Sequence, residues 1–245
     1  MSRVKHNAMH QYTGGLNNAP TGGPNLLPFP TPGLQGWKWL YQDYAHGVLY
    51  TADTVEYELE IVGTTPAPIP AANGVSLPTT TADNSMCQIR DTTAQVILGA
   101  STKKFYLETS FMLTAADVDQ NEIFVGYSTD ATSTAMIDAG GTVWALDAAI
   151  GFGKGDAATE LDLIIRAADV EQTIGMGAMV TATRYKFGVY YDGTKYYAYK
   201  NDALVGEGTA QVYPATVMGT NAYIRTGEGA LQSLLVNYIA LGTEL

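Results

Sequence analysis

Glu160 and Asp162 stand two residues apart in Glu160-Leu161-Asp162-Leu163-Ile164-Ile165, a spacing that puts both carboxylates on one face of a strand. Glycoside hydrolysis would start from such a pair, with one carboxyl acting on the sugar carbon or its water and another supplying a proton. Read as Glu-x-Asp-x-x-Glu, the segment has Ile165 at its third acid, and a retaining mechanism cannot run through an apolar side chain. Glu56, Glu58 and Glu60 also share a face. They lack that pattern and read as the solvated side of a half-buried strand.

Other motifs fail at single positions. Asp117-Val118-Asp119-Gln120-Asn121-Glu122 opens like a calcium loop, but its sixth position is Glu122 rather than Gly and its twelfth is Ser128 rather than Glu. His6 and His10 have the spacing of a zinc-binding helix, yet Asn7 replaces the general-base Glu. Gly151-Phe152-Gly153-Lys154-Gly155 is no phosphate loop, because Gly155 stands where Ser or Thr must reach magnesium and Ala148 where the first Gly belongs. There is no Gly-x-Ser-x-Gly elbow. The motifs predict no cofactor, no metal site and a chain that is not an enzyme.

The elements that carry these residues read as short antiparallel strands. Phe105, Leu107, Thr109, Phe111 and Leu113 alternate with Tyr106, Glu108, Ser110 and Met112. Strands are expected at 123–127, 143–152 and 161–166. The clearest unit is Tyr185–Tyr191, an Asp192-Gly193 turn, Lys195–Tyr199, an Asn201-Asp202 turn and Ala203–Gly206, a three-strand meander whose turn residues tolerate positive φ. A last strand runs from Leu231 to Leu241. Upstream, Trp37, Trp39 and Tyr41 alternate on one strand face, and Val55, Tyr57, Leu59 and Ile61 on another, while Thr65 to Pro70 reads as a loop. No amphipathic helix is evident, so the fold class is all-β, an antiparallel β-sandwich or jelly roll.

Residues 1–36 differ in kind. Gly14-Gly15, Gly22-Gly23-Pro24, then Pro28, Pro30, Pro32 and Gly33 forbid helix and leave an extended arm. Ordering such an arm costs roughly 1–2 kcal/mol per residue, which contacts must offset. Leu26, Leu27, Phe29 and Leu34, followed by Trp37 and Trp39, are the residues expected to dock it on a partner. The organisation is therefore an arm (1–36) ahead of a sandwich (37–245) whose core strands lie mainly in 100–245.

Composition limits the partners. A net charge of −11 argues against nucleic acid, and it is uneven. Residues 1–50 hold Arg3, Lys5 and Lys38 against Asp43, leaving 10 basic and 23 acidic side chains beyond, a net −13. Charged residues are only 15% of the chain, which suits faces covered by partners. No stretch approaches the ~18 apolar residues of a membrane span. The opening MSRVKHNAMH lacks an apolar run and Cys87 is the single cysteine, so synthesis in a reducing cytoplasm is expected.

The meander YKFGVYYDGTKYYAYKNDALVGE resembles the central hairpin of concanavalin A-like (laminin G-like) jelly rolls. The tail, from Pro214 through Tyr223-Ile224-Arg225-Thr226-Gly227 to Leu235-Val236-Asn237-Tyr238-Ile239, resembles the ending of such domains in bacteriophage virion proteins, with Asn237 where Asp is usual. Glucanases of this fold carry the Glu-x-Asp-x-x-Glu strand, which Ile165 interrupts here. The resemblance implies a virion component on the capsid surface: a decoration (cement) protein that binds the major capsid protein and neighbouring copies of itself through its arm and stabilises the shell. The alternative is a carbohydrate-binding adhesin or fibre module that stacks surface glycans on Trp37, Trp39, Trp144 or Tyr196. A glycoside hydrolase or lyase is the third reading.

Overall fold

In a computed structural model, residues 37–43, 57–62, 68–71, 74–82, 84–91, 96–115, 117–129, 146–168, 170–227 and 231–244 are described. They hold fifteen strands in chain order. These are β1 (Trp37–Asp43), β2 (Tyr57–Val62), β3 (Ile69–Ala71), β4 (Gly74–Pro78), β5 (Met86–Asp91), β6 (Phe105–Thr114), β7 (Asn121–Ser128) and β8 (Ala148–Lys154). Then follow β9 (Glu160–Ala167), β10 (Val170–Ala178), β11 (Arg184–Tyr191), β12 (Lys195–Lys200), β13 (Ala203–Thr209), β14 (Gly219–Thr226) and β15 (Ser233–Glu244).

Two antiparallel sheets result. Sheet I runs β13-β12-β11-β6-β15-β4-β3, with β1 also paired to β15; sheet II runs β10-β9-β8-β7-β14-β5-β2. The long β15 serves both β4 and β1 along one edge, through a bulge between Val236 and Tyr238 in its pairing with β6. Five strands precede residue 100 and complete both sheets. The expectations for the arm, Leu26, Leu27, Phe29 and Leu34 included, and for His6, His10 and Trp144, lie outside the described residues.

The alternation on β6 is realised: Phe105, Leu107, Phe111 and Leu113 are fully buried between the sheets. Sheet II meets them with Ile123, Val125, Ile150, Phe152, Leu163 and Ile165. Phe187 joins the layers, its ring 4.9 Å from Phe111 in its own sheet and 5.5 Å from Phe152 in the other. Burying each such side chain contributes about 1.5–3 kcal/mol. The meander forms as expected, with Gly193 at φ 101 and Asn201 and Asp202 at φ 51 and 69 in its turns. Gln172 of β10 closes one flank by donating to the Thr209 carbonyl of β13, 2.9 Å away.

Three expectations are corrected. Ile69 and Pro70 are not loop but part of β3, an edge strand, where a missing N–H leaves no ladder bond unmade on the open side. Strand β10 was not anticipated, because Val170–Ala178 carries four exposed positions, two glycines and no clean alternation. Tyr196 cannot stack a sugar: it is fully buried in the core and its hydroxyl donates to the Val212 carbonyl at 2.6 Å.

Candidate functional site

Residues paired in register lie on the same face of a sheet, so the outer face of sheet II can be read strand by strand. One row crosses from Asp162 through Gly153, Phe124 and Tyr223 to Gln88. The next runs Ile164, Gly151, Gly126, Asn221 and Arg90. Strand β8 thus shows its glycines outward and Ile150, Phe152 and Lys154 inward. The run that was tested as a phosphate loop is a strand with a glycine face.

Those glycines have steric work. A Cβ on Gly126 would fall 2.4 Å from the Ile150 carbonyl oxygen, and one on Gly151 would fall 2.7 Å from Cζ of Phe124. The Phe124 ring therefore lies across Gly151. With Met86, Leu146, Ala149, Ile164 and Tyr223 it forms a second apolar cluster on the outside of the sheet. Strands β7 and β8 are consequently buried on both faces.

Polar groups ring this centre. On one side the Tyr223 hydroxyl donates to Glu122 at 3.0 Å, Arg225 pairs with the same carboxylate at 3.4 Å, and Arg225 also donates to Asn84. Burial pushes the Glu122 carboxyl above its ordinary range, and Arg225 and the tyrosine hydroxyl pull it part of the way back. On another side Gln88 donates to Asn221, and Asn221 donates to Ser128, each at 2.9 Å. Sequence reasoning missed both chains, although outward polar residues on otherwise apolar strands were the available signal.

The third side is the open one. Glu160, Thr173 and Gly175 are exposed, and Asp162 and Glu171 half-buried. Burial raises the Asp162 carboxyl, and the charge of Glu160 raises it further. Burial also raises Glu171, against the opposing pull of Arg166 at 3.8 Å. Strand β9 keeps regular register against β8 with no bulge. Glu160 and Asp162 therefore share the outer face as expected, while Ile165 points into the core. The next outward position is Ile164, equally apolar and 1% exposed. Among the described residues, no three His, Cys, Asp or Glu side chains converge as a metal site.

A separate cluster occupies the outer face of sheet I. Tyr106 and Tyr238 both donate to Glu108, beside Lys186, which pairs with Asp202. Tyr190 and Tyr197 stack in the adjoining row, centroids 6.2 Å apart. Trp37 and Trp39, expected at a partner interface, belong to β1 at the edge of β15.

Neither a family model nor a curated protein matches this sequence. Solved structures do match the fold. The carbohydrate recognition domain of Emp47p aligns over 83% of this chain and 94% of its own, with TM-score 0.58 and 10% identity. An endo-1,3-beta-glucanase from Streptomyces sioyaensis aligns over 88% and 99%, with TM-score 0.57 and 9% identity. A glycoside hydrolase family 16 endo-glucanase from Bacteroides ovatus aligns over 82% and 98%, with TM-score 0.54 and 9% identity. The chain has the concanavalin A-like jelly-roll fold. The expectation that it is not an enzyme is corrected: glycoside hydrolases share this fold across nearly their whole length, so the missing third acid alone does not exclude activity.

Proposed function

We propose that this chain binds carbohydrate on the outer face of sheet II, along the β9–β10 flank. The observation that carries the reading is the pair Glu160 and Asp162 on the outer face of β9, flanked by the exposed Thr173 and Gly175 of β10. Such carboxylates accept from the hydroxyls of a sugar ring and fix its orientation. Glu160, Asp162 and Glu171 make the flank acidic, which favours neutral glycans over uronate-rich or sulfated ones. The likeness to a carbohydrate recognition domain supports the sugar-binding reading, as a likeness of fold.

A panel of immobilised neutral and anionic polysaccharides tests it. Retention on a neutral member, lost in the double variant Glu160→Gln/Asp162→Asn, supports the proposal; no retention on any member removes it. The same panel assayed for new reducing ends decides whether binding leads to turnover, which the first two acids of a glucanase-like strand invite.

Capsid decoration is the second reading, supported by the Gly/Pro-rich segment 1–36 and by the tail's resemblance to virion proteins. The jelly-roll fold itself adds nothing to it. Co-sedimentation with particles, abolished by deleting residues 1–36, would establish it, and a protein that stays in the supernatant would end it.

A further inference from the structure

Lys154 closes β8 on the inner side of sheet II, where its whole side chain is 1% exposed. Its Nζ donates to the carbonyl of Asn121, 2.5 Å away, and more weakly to that of Gly155 at 3.4 Å. Among the described residues it forms no ion pair. Asn121, which opens β7, is fully buried too. Lys154 is paired in register with Ile123, so Asn121 is its diagonal neighbour on the same face. The Asn121 amide nitrogen donates to the Asp117 carbonyl at 3.3 Å, while its Oδ1 is buried without a hydrogen-bond partner.

A buried primary amine is thus held against the main chain of a residue that itself carries a buried carboxamide. We propose that Lys154 and Asn121 form an intramolecular isopeptide bond joining the ends of β7 and β8. The Nζ lone pair adds to Cγ of Asn121, the Cγ–Nδ2 bond breaks, and one Nζ proton leaves with Nδ2 as ammonia. Mass and charge balance with no oxidant, reductant or added reagent. The reacting amine must be neutral, and burial lowers Lys154 to about 8, against the raising influence of Asp156, Asp119 and Glu122. Forming the bond also replaces a buried amine, which is costly to charge in the interior, with a neutral amide.

Intact-mass measurement of the denatured full chain, before and after incubation in mildly alkaline buffer, tests this. The expected mass is that of the sequence less one ammonia, with a branched peptide linking the segments around 121 and 154 after digestion. The Lys154→Arg and Asn121→Ala chains should keep their full sequence masses. A wild-type chain at full mass under both conditions overturns the proposal. So does an ammonia deficit that survives Lys154→Arg or maps to another asparagine. The wild-type spectrum decides the matter even where a variant fails to fold.

Discussion

The Tyr238 hydroxyl of β15 donates to the Glu108 carboxylate of β6 across 2.5 Å, on the outside of sheet I, where Glu108 and Tyr106 are almost wholly covered and Tyr238 partly so. Tyr106 donates to the same carboxylate. Even so, burial outweighs both hydrogen bonds and the nearby Lys186, and Glu108 stays above the ordinary 4.5 of a glutamate, with Asp202 adding to the rise.

A raised carboxylate fixes the sign of a pH effect. The folded state holds its proton more tightly than the unfolded chain does, so its contribution is fully present below the unfolded value and lost as pH rises through the folded one. Glu122, Asp162 and Glu171 are shifted in the same direction, whereas the turn residue Asp192 is lowered. The melting temperature should therefore fall between mildly acidic and neutral pH, and Glu108→Gln should flatten that slope. A melting temperature that climbs over this range, unchanged in Glu108→Gln, would contradict the assignment.

Two glycines separate close approach from mere economy of space. At Gly126 a Cβ would strike the backbone of Ile150 and Gly151, at 2.4 and 2.5 Å, and neither can rotate away. At Gly206 it would meet Cγ2 of Ile174 at 2.6 Å, a branched side chain of limited freedom in place of main chain. Urea unfolding should show Gly126→Ala destabilised by about 1–3 kcal/mol or more, and Gly206→Ala destabilised by less.

Phe187 is the ring on which the two sheets meet. Truncation to Ala should cost about 3–5 kcal/mol, read as a lower urea midpoint at constant slope. A loss below about 1 kcal/mol would mean that the rings of Phe111 and Phe152 collapse into the space.

Cys87 is fully buried and its thiol is pushed up to about 12 by desolvation. A thiol reagent should label it only at the rate of unfolding, so labelling should accelerate with urea in step with the loss of structure. Rapid labelling of the native protein would place β5 elsewhere.

The parts legible in the sequence were those in which one strand face differs from the other. On β6 the pattern Phe105, Leu107, Phe111, Leu113 against Tyr106 and Glu108 names its own inner face, and the meander names its turns. Strands β7 and β8 are buried on both sides and carry no such contrast, so the outward set Glu122, Phe124, Gly126 could not be told from the inward Ile123, Val125, Tyr127. Of the site, Glu160 and Asp162 were found by their spacing. Their setting was not, because Glu122 meets Tyr223 and Arg225 across 101 and 103 residues of chain, a pairing fixed by strand order alone.

Carbohydrate binding on the β9–β10 flank is most directly tested by titration calorimetry with the neutral glycan that retains the wild-type protein best. Glu160→Gln/Asp162→Asn should weaken that binding at least tenfold, about 1.4 kcal/mol, while Tyr197→Ala on the opposite sheet leaves it unchanged. Undiminished affinity in the double variant, or its loss in Tyr197→Ala, would contradict the site.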